Sequence, residues 1–158
     1  MRKIVVFVFI FSFSVVALLG QQINQKDANG LRQGLWKKQY PDSQQLRYQG
    51  NFVDDKEVGT FYFYCQSCGE QPICVKEFFL EAPTKVRYYS KTGDLLSEGL
   101  MSGKQRTGLW RIFHENSQKV MTREMYVLGK LHGEITTYYP SGEIIETTNY
   151  VNGLKQGK

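Results

Sequence analysis

The chain has 158 residues, with 20 basic and 15 acidic side chains, 41% apolar and 14% aromatic residues. Three cysteines and two histidines are too few for a disulfide-dense scaffold or for a metal centre built from paired ligand motifs. The net charge of +5 is dispersed among acidic residues rather than gathered in a basic stripe, so nucleic acid is excluded as the expected partner.

Residues 1–20 open with Arg2 and Lys3 and continue as an apolar run to Leu19. A basic start, then an apolar stretch shorter than the ~20 residues of a membrane span, reads as a secretory signal peptide, an N-terminal signal helix outside the fold. Cleavage after Ala17 or Gly20 fits, and an uncleaved anchor is the alternative. The chain is therefore expected to be exported: periplasmic, outer-surface or secreted, in a bacterium. Without Arg2 and Lys3 the basic excess falls from five to three. Residues 21–29 are polar and read as a flexible lead-in.

Residues 30–158 form one repeat domain. Gly34, Gly59, Gly108, Gly133 and Gly157 recur at intervals of 25, 49, 25 and 24, and fixed periods of this size mark repeat architectures. The 49 reads as two units whose boundary, near Ala82 and Pro83, has lost its glycine. After each unit glycine comes a strand with aromatics: Trp36 and Tyr40; Phe61, Tyr62, Phe63 and Tyr64; Tyr88 and Tyr89; Trp110 and Phe113; Tyr138 and Tyr139. Period-2 alternation with aromatic enrichment argues for strand over helix. Turn-forming residues follow. Then comes a second strand with an apolar residue before the link, namely Phe52, Phe79, Leu100, Tyr126 and Tyr150. In the third unit either Lys85 or Val86 takes the Trp110 position. The unit glycines are expected in the link between hairpins, where positive φ is needed. The fold expected is all-β: an elongated, single-layer antiparallel sheet of about five repeated hairpins. The closing residues 153–158 read as a sixth unit that stops, with lysines that discourage edge pairing.

The spacing Gly-Leu-Trp-x-x-x-Tyr/His at Gly34 to Tyr40 and Gly108 to His114, Ser141-Gly142 in a turn, and Gly129-Lys-x-His-Gly133 resemble the MORN-repeat family in its bacterial variant form. The resemblance covers about residues 30–157. It implies a twisted single-layer sheet and a binding or scaffolding role. Many bacterial relatives carry an antitoxin-type label, which implies a protein partner.

No catalytic constellation is visible, and neither a cofactor nor a bound metal is expected. Cys65, Cys68 and Cys74 all lie in the second hairpin. In an exported chain neighbouring cysteines pair; a Cys65–Cys74 bridge across the hairpin is the natural choice, Cys68–Cys74 its rival, and Cys65–Cys68 the more redox-like option. His114 occupies the position of Tyr40 and Tyr139 and reads as an aromatic substitute, while His132 reads as a solvated link residue. A single-layer sheet leaves some aromatics exposed, so Trp36, Trp110, Tyr138, Tyr139 and above all Phe61, Tyr62, Phe63 and Tyr64 are the candidate contacts. The expected role is non-enzymatic protein binding in the cell envelope, antitoxin-like by resemblance. Peripheral attachment to membrane or cell-wall glycan or lipid is the alternative, and a thiol-redox or metal role for the cysteines the third.

Overall fold

A computed structural model describes residues 22–157. The signal peptide and helix expected at residues 1–20 lie outside the described residues. The rest is one open antiparallel sheet of thirteen strands in which each run of chain pairs with its sequence neighbours. The strands are β1 (Gln25–Lys26), β2 (Arg32–Gln39), β3 (Leu46–Val53), β4 (Lys56–Phe63), β5 (Cys74–Phe78), β6 (Thr84–Tyr89) and β7 (Leu95–Ser102). They continue as β8 (Gln105–Phe113), β9 (Val120–Val127), β10 (Lys130–Leu131), β11 (Gly133–Tyr138), β12 (Ile144–Val151) and β13 (Leu154–Gln156). Strand β10 is the start of the run that β11 continues; it pairs with β9. Five hairpins result, β2–β3 through β11–β12. The tips lie along one edge of the sheet and the links along the other. The lead-in is part of the sheet, because Gln25 and Lys26 pair with Gln33 and Arg32. Strand β13 begins a sixth unit against β12.

All five unit glycines have positive φ, from 63° to 88°, but they do not reverse the chain. Reversal falls at two-residue turns, with Asp54 and Asp55, Leu128 and Gly129, and Asn152 and Gly153 all at positive φ, the backbone of the tight hairpin turn. The glycines then lie inside or beside the following strands, where Gly34, Gly108 and Gly133 face Phe52, Tyr126 and Tyr150. A side chain added at Gly34, Gly59 or Gly133 would meet nothing within 4 Å, so conformation and not space demands glycine there. The lost glycine of the third unit is Thr84, which pairs with Met101 and has no positive φ.

One second-strand expectation is corrected: Phe79 lies beyond the end of β5, and Phe78 faces Gly59. In the third unit Leu100 lies in β7 as expected, and its neighbour Met101 faces Thr84. Val86, not Lys85, takes the tryptophan position: it faces Gly99 as Trp36 faces Gly50. The links set these positions: in the second unit five residues separate Phe78 from Thr84 where the other links have two, and in the third Gly103 is the first residue of the tight turn, while Gly129 and Gly153 are the second of theirs.

The core lies on one face of the sheet. Trp36, Phe52, Phe61, Phe63, Cys74, Val86, Tyr88, Trp110 and Tyr126 share it through the pairings. Phe52, Phe61, Val86 and Trp110 are buried, with Cys74, Val86 and Trp110 at the centre and Phe63, Tyr88, Met101 and Tyr126 packed around them. Two glycines make this burial possible in an open sheet. A Cβ on Gly50 would run into the Phe61 ring, and one on Gly99 into the Trp110 ring. Each ring lies flat over bare backbone, and the Trp110 indole N–H donates to the Leu100 carbonyl at 2.9 Å.

Candidate interaction surface

The aromatics divide between core and surface in a way their spacing did not show. Phe61 is 1% exposed, Trp110 0% and Tyr64 7%, so these three expected contacts are filled from within and offer nothing to a partner. Trp36, Phe63 and Tyr138 are partly buried, while Tyr62 and Tyr139 are exposed. Trp36 packs edge-on against Phe52, with its N–H shared by the Gln25 and Gln33 carbonyls. The Phe61-to-Tyr64 stretch is thus mostly structural: alternation sends Phe61 and Phe63 to the core and leaves Tyr62 on the opposite face.

That opposite face holds two parallel rows. One is ionic. Arg87 contacts Glu77 at 2.8 Å and Glu98 at 3.8 Å, and Glu98 holds Arg111 at 2.9 Å. Arg111 stands directly opposite Arg123. Like charges paired across strands oppose each other, and no carboxylate of the described residues lies within ion-pair distance of Arg123, whose guanidinium instead lies 5.4 Å from the Tyr138 ring centre. The second row is aliphatic. Leu109 pairs with Met125, and Leu100 joins Leu109, Lys85, Glu98 and Arg111 around a shallow depression. Leu100, Leu109 and Met125 are 37%, 39% and 38% exposed. Apolar side chains beside two arginines on a rigid sheet are a docking composition. The sequence held a signal for this in Leu-x-Arg at Leu109 and Arg111, overshadowed by the aromatics.

Arginine also shapes the core face. Arg32 lies 3.8 Å from the Phe52 ring centre and bonds Asp55 at 2.6 Å. Arg106 lies 4.2 Å from the Trp110 ring centre and donates to the Tyr126 hydroxyl at 3.0 Å. Both stand two residues before a unit glycine, in Arg32-Gln-Gly-Leu-Trp36 and Arg106-Thr-Gly-Leu-Trp110; the repeated Arg-x-Gly-Leu-Trp was a legible signal. The Asp55 carboxyl is held below its ordinary range, first by the Arg32 side-chain hydrogen bond.

Neighbouring tips are stitched together. The Tyr40 hydroxyl donates to the Tyr64 carbonyl at 2.8 Å, and His114 Nε2 contacts the Tyr138 carbonyl at 3.0 Å, a bond that requires the Nε2–H form. His114 therefore does the work of its tyrosine counterpart. His132 departs from expectation: it is partly buried, and its Nδ1 is shut off from water without a partner.

The cysteine expectation is corrected. Cys65 pairs with Cys68, and Cys74 is a buried free thiol. The reason is register. Cys74 faces Phe63 and Tyr88 across its neighbours and points into the core, while the chain beyond Phe63 departs into the tip loop with Cys65. Burial pushes the Cys74 thiol up from its ordinary value.

Against known proteins, a MORN repeat variant is found at residues 131–152. That segment spans the fifth hairpin, the second strand included. No curated protein and no solved structure matches the chain.

Proposed function

We propose that the chain is a non-enzymatic, exported interaction module that binds a protein partner in a bacterial cell envelope. The observation that carries this reading is the aliphatic row Leu100, Leu109 and Met125 beside Arg111 and Arg123, exposed on the face opposite the packed core. Side chains held on hydrogen-bonded strands are ordered before a partner arrives, which lowers the entropy cost of binding, and Arg123 supplies a charge that a partner's carboxylate would satisfy. Export rests on the basic start and apolar run of residues 1–20. The antitoxin-type role follows the family resemblance: the same surface would engage and neutralise a toxin-like protein.

The test is affinity capture with the immobilised full chain, beside Leu109→Asp and Arg123→Glu. Enrichment of a defined protein, lost in both variants while their thermal unfolding is unchanged, supports the reading. Equal enrichment by all three, or none by the parent chain, overturns it.

A second reading, peripheral attachment to membrane or cell-wall material, is favoured by the link edge. Lys56, Lys104, Lys130 and Lys155 are exposed there, each within two residues of a turn, alongside Leu80 and Leu128 at 95% and 77% exposure. Basic and apolar tips along one edge suit an anionic interface. Sedimentation with anionic vesicles that is abolished by moderate salt would support it; no sedimentation at low salt would remove it.

A further inference from the structure

The tip loop of the second hairpin, residues 64–73, is longer than the other tips and holds the Cys65–Cys68 bridge. We propose that Cys65 and Cys68 form a reversible thiol–disulfide exchange site whose co-reactant is a dithiol.

Three observations lead there. The bridge joins residues three apart, closing the shortest loop that three cysteines permit. A cross-link restrains the unfolded chain less the shorter its loop, so this pairing supports the fold less than Cys65–Cys74 would. The bridge is also reachable: Cys65 and Cys68 are partly exposed with Gln66 and Ser67 exposed between them, whereas Cys74 is buried beside Val86 and Trp110. Lastly, a polar chain links Cys65 to a cation. Cys65 Sγ lies 3.7 Å from Ser67 Oγ, and Lys91 Nζ donates to Ser67 Oγ at 3.2 Å. With Lys91 donating to its oxygen, the Ser67 hydroxyl is free to donate to a Cys65 thiolate. Stabilised thiolates are the better leaving groups.

The step is then defined. A thiolate of the co-reactant attacks Cys68 Sγ. The Cys65–Cys68 bond breaks, and its electron pair leaves on Cys65 as thiolate beside Ser67. The co-reactant's second thiolate attacks its own sulfur in the mixed disulfide and releases Cys68. Two protons from the co-reactant's thiols end on Cys65 and Cys68; the protein disulfide is reduced and the dithiol becomes a disulfide. Cys74 stays a spectator. The loop is docked on both sides, by Gln45 Nε2 donating to the Gly69 carbonyl at 2.7 Å and by Lys91 to Ser67, so reduction loosens a contact between three hairpins.

The full chain is treated under native conditions with dithiothreitol, alkylated at intervals, and peptide-mapped by mass spectrometry. The expected result is joint labelling of Cys65 and Cys68 with Cys74 unlabelled, closure of the bridge again in oxidised dithiothreitol, and a fall in reduction rate on the order of threefold in Ser67→Ala and Lys91→Ala. Lys91→Arg retains the parent rate. A bridge that opens only when the protein unfolds, Cys74 reacting as fast as the pair, or rates unmoved by the Ser67 and Lys91 substitutions would each overturn the proposal.

Discussion

Gly99 and Gly108 lie nine residues apart and are constrained for different reasons. Gly99 has no room, because Trp110 fills the space a Cβ would take. Gly108 has room, its nearest atom being Leu100 Cδ1 at 3.8 Å, but sits at φ +63°. Gly99→Ala is expected to cost about 1–3 kcal/mol through overpacking, and Gly108→Ala about 1–2 kcal/mol through the left-handed backbone. Urea unfolding of a double-mutant cycle separates them: Trp110→Ala should absorb most of the Gly99→Ala cost and leave that of Gly108→Ala nearly intact. Three carboxylates carry a pH dependence. Asp27 is held below its ordinary value first by the Leu31 N–H, Asp55 by Arg32, and Asp94 by Thr92 and then Ser90. Folding therefore favours their ionised forms. That stability is complete above the unfolded value of about 4 and is lost as pH falls through the lower folded values. The melting temperature should hold between pH 7 and 5 and fall below about pH 4, less steeply in Asp94→Asn; a profile flat to pH 2 would contradict the assignment.

Within the hairpin, the stitches and the arginine stacks set how one unit locks to the next. Arg106 covers Trp110 with its stem and planar head and also reaches Tyr126 and Glu124. Arg106→Ala should cost about 1–2 kcal/mol, and Arg106→Lys should recover only part of it, since an ammonium cannot stack and fork as a guanidinium does. Chemical denaturation of the pair checks this. His114→Tyr should be close to neutral because Tyr40 already makes the equivalent bond, whereas His114→Ala should lose about 1 kcal/mol. The count of hairpins and the turn composition were legible, because glycine spacing and aromatic alternation are written in single residue types. The faces at Phe78 and Met101 were not. The link after Phe78 has five residues where the others have two, and Gly103 takes the first turn position where Gly129 and Gly153 take the second, offsets that turn composition alone does not reveal. Gly50 and Gly99 are 49 residues apart, the interval that also separates Gly59 from Gly108, so a two-hairpin period was present in the sequence. The cysteine pairing was not legible either, because turn residues alone do not locate strand ends, and Cys74 is in a strand while Cys65 is not.

Among the described residues, stability is spread over neighbouring pairings and is densest around Cys74, Val86 and Trp110 in the middle of the array. Strands β1 and β13 end the array, of two and three residues, and both should fray first. The candidate docking rows depend on this continuity, since Arg87, Glu98, Arg111 and Arg123 come from four successive strands. A partner reading that face would read the register of the sheet itself, which brings these side chains together from separate strands. The central claim is that the unit found at residues 131–152 is one of five equivalent hairpins in one sheet. Hydrogen–deuterium exchange of the full chain, resolved by peptide, tests it most directly. The account predicts protection in every strand from β2 to β12, strongest from β4 to β8, with rapid exchange at the tips and links. Protection confined to residues 131–152, or running through residues 64–73 as strongly as through β4, would contradict it.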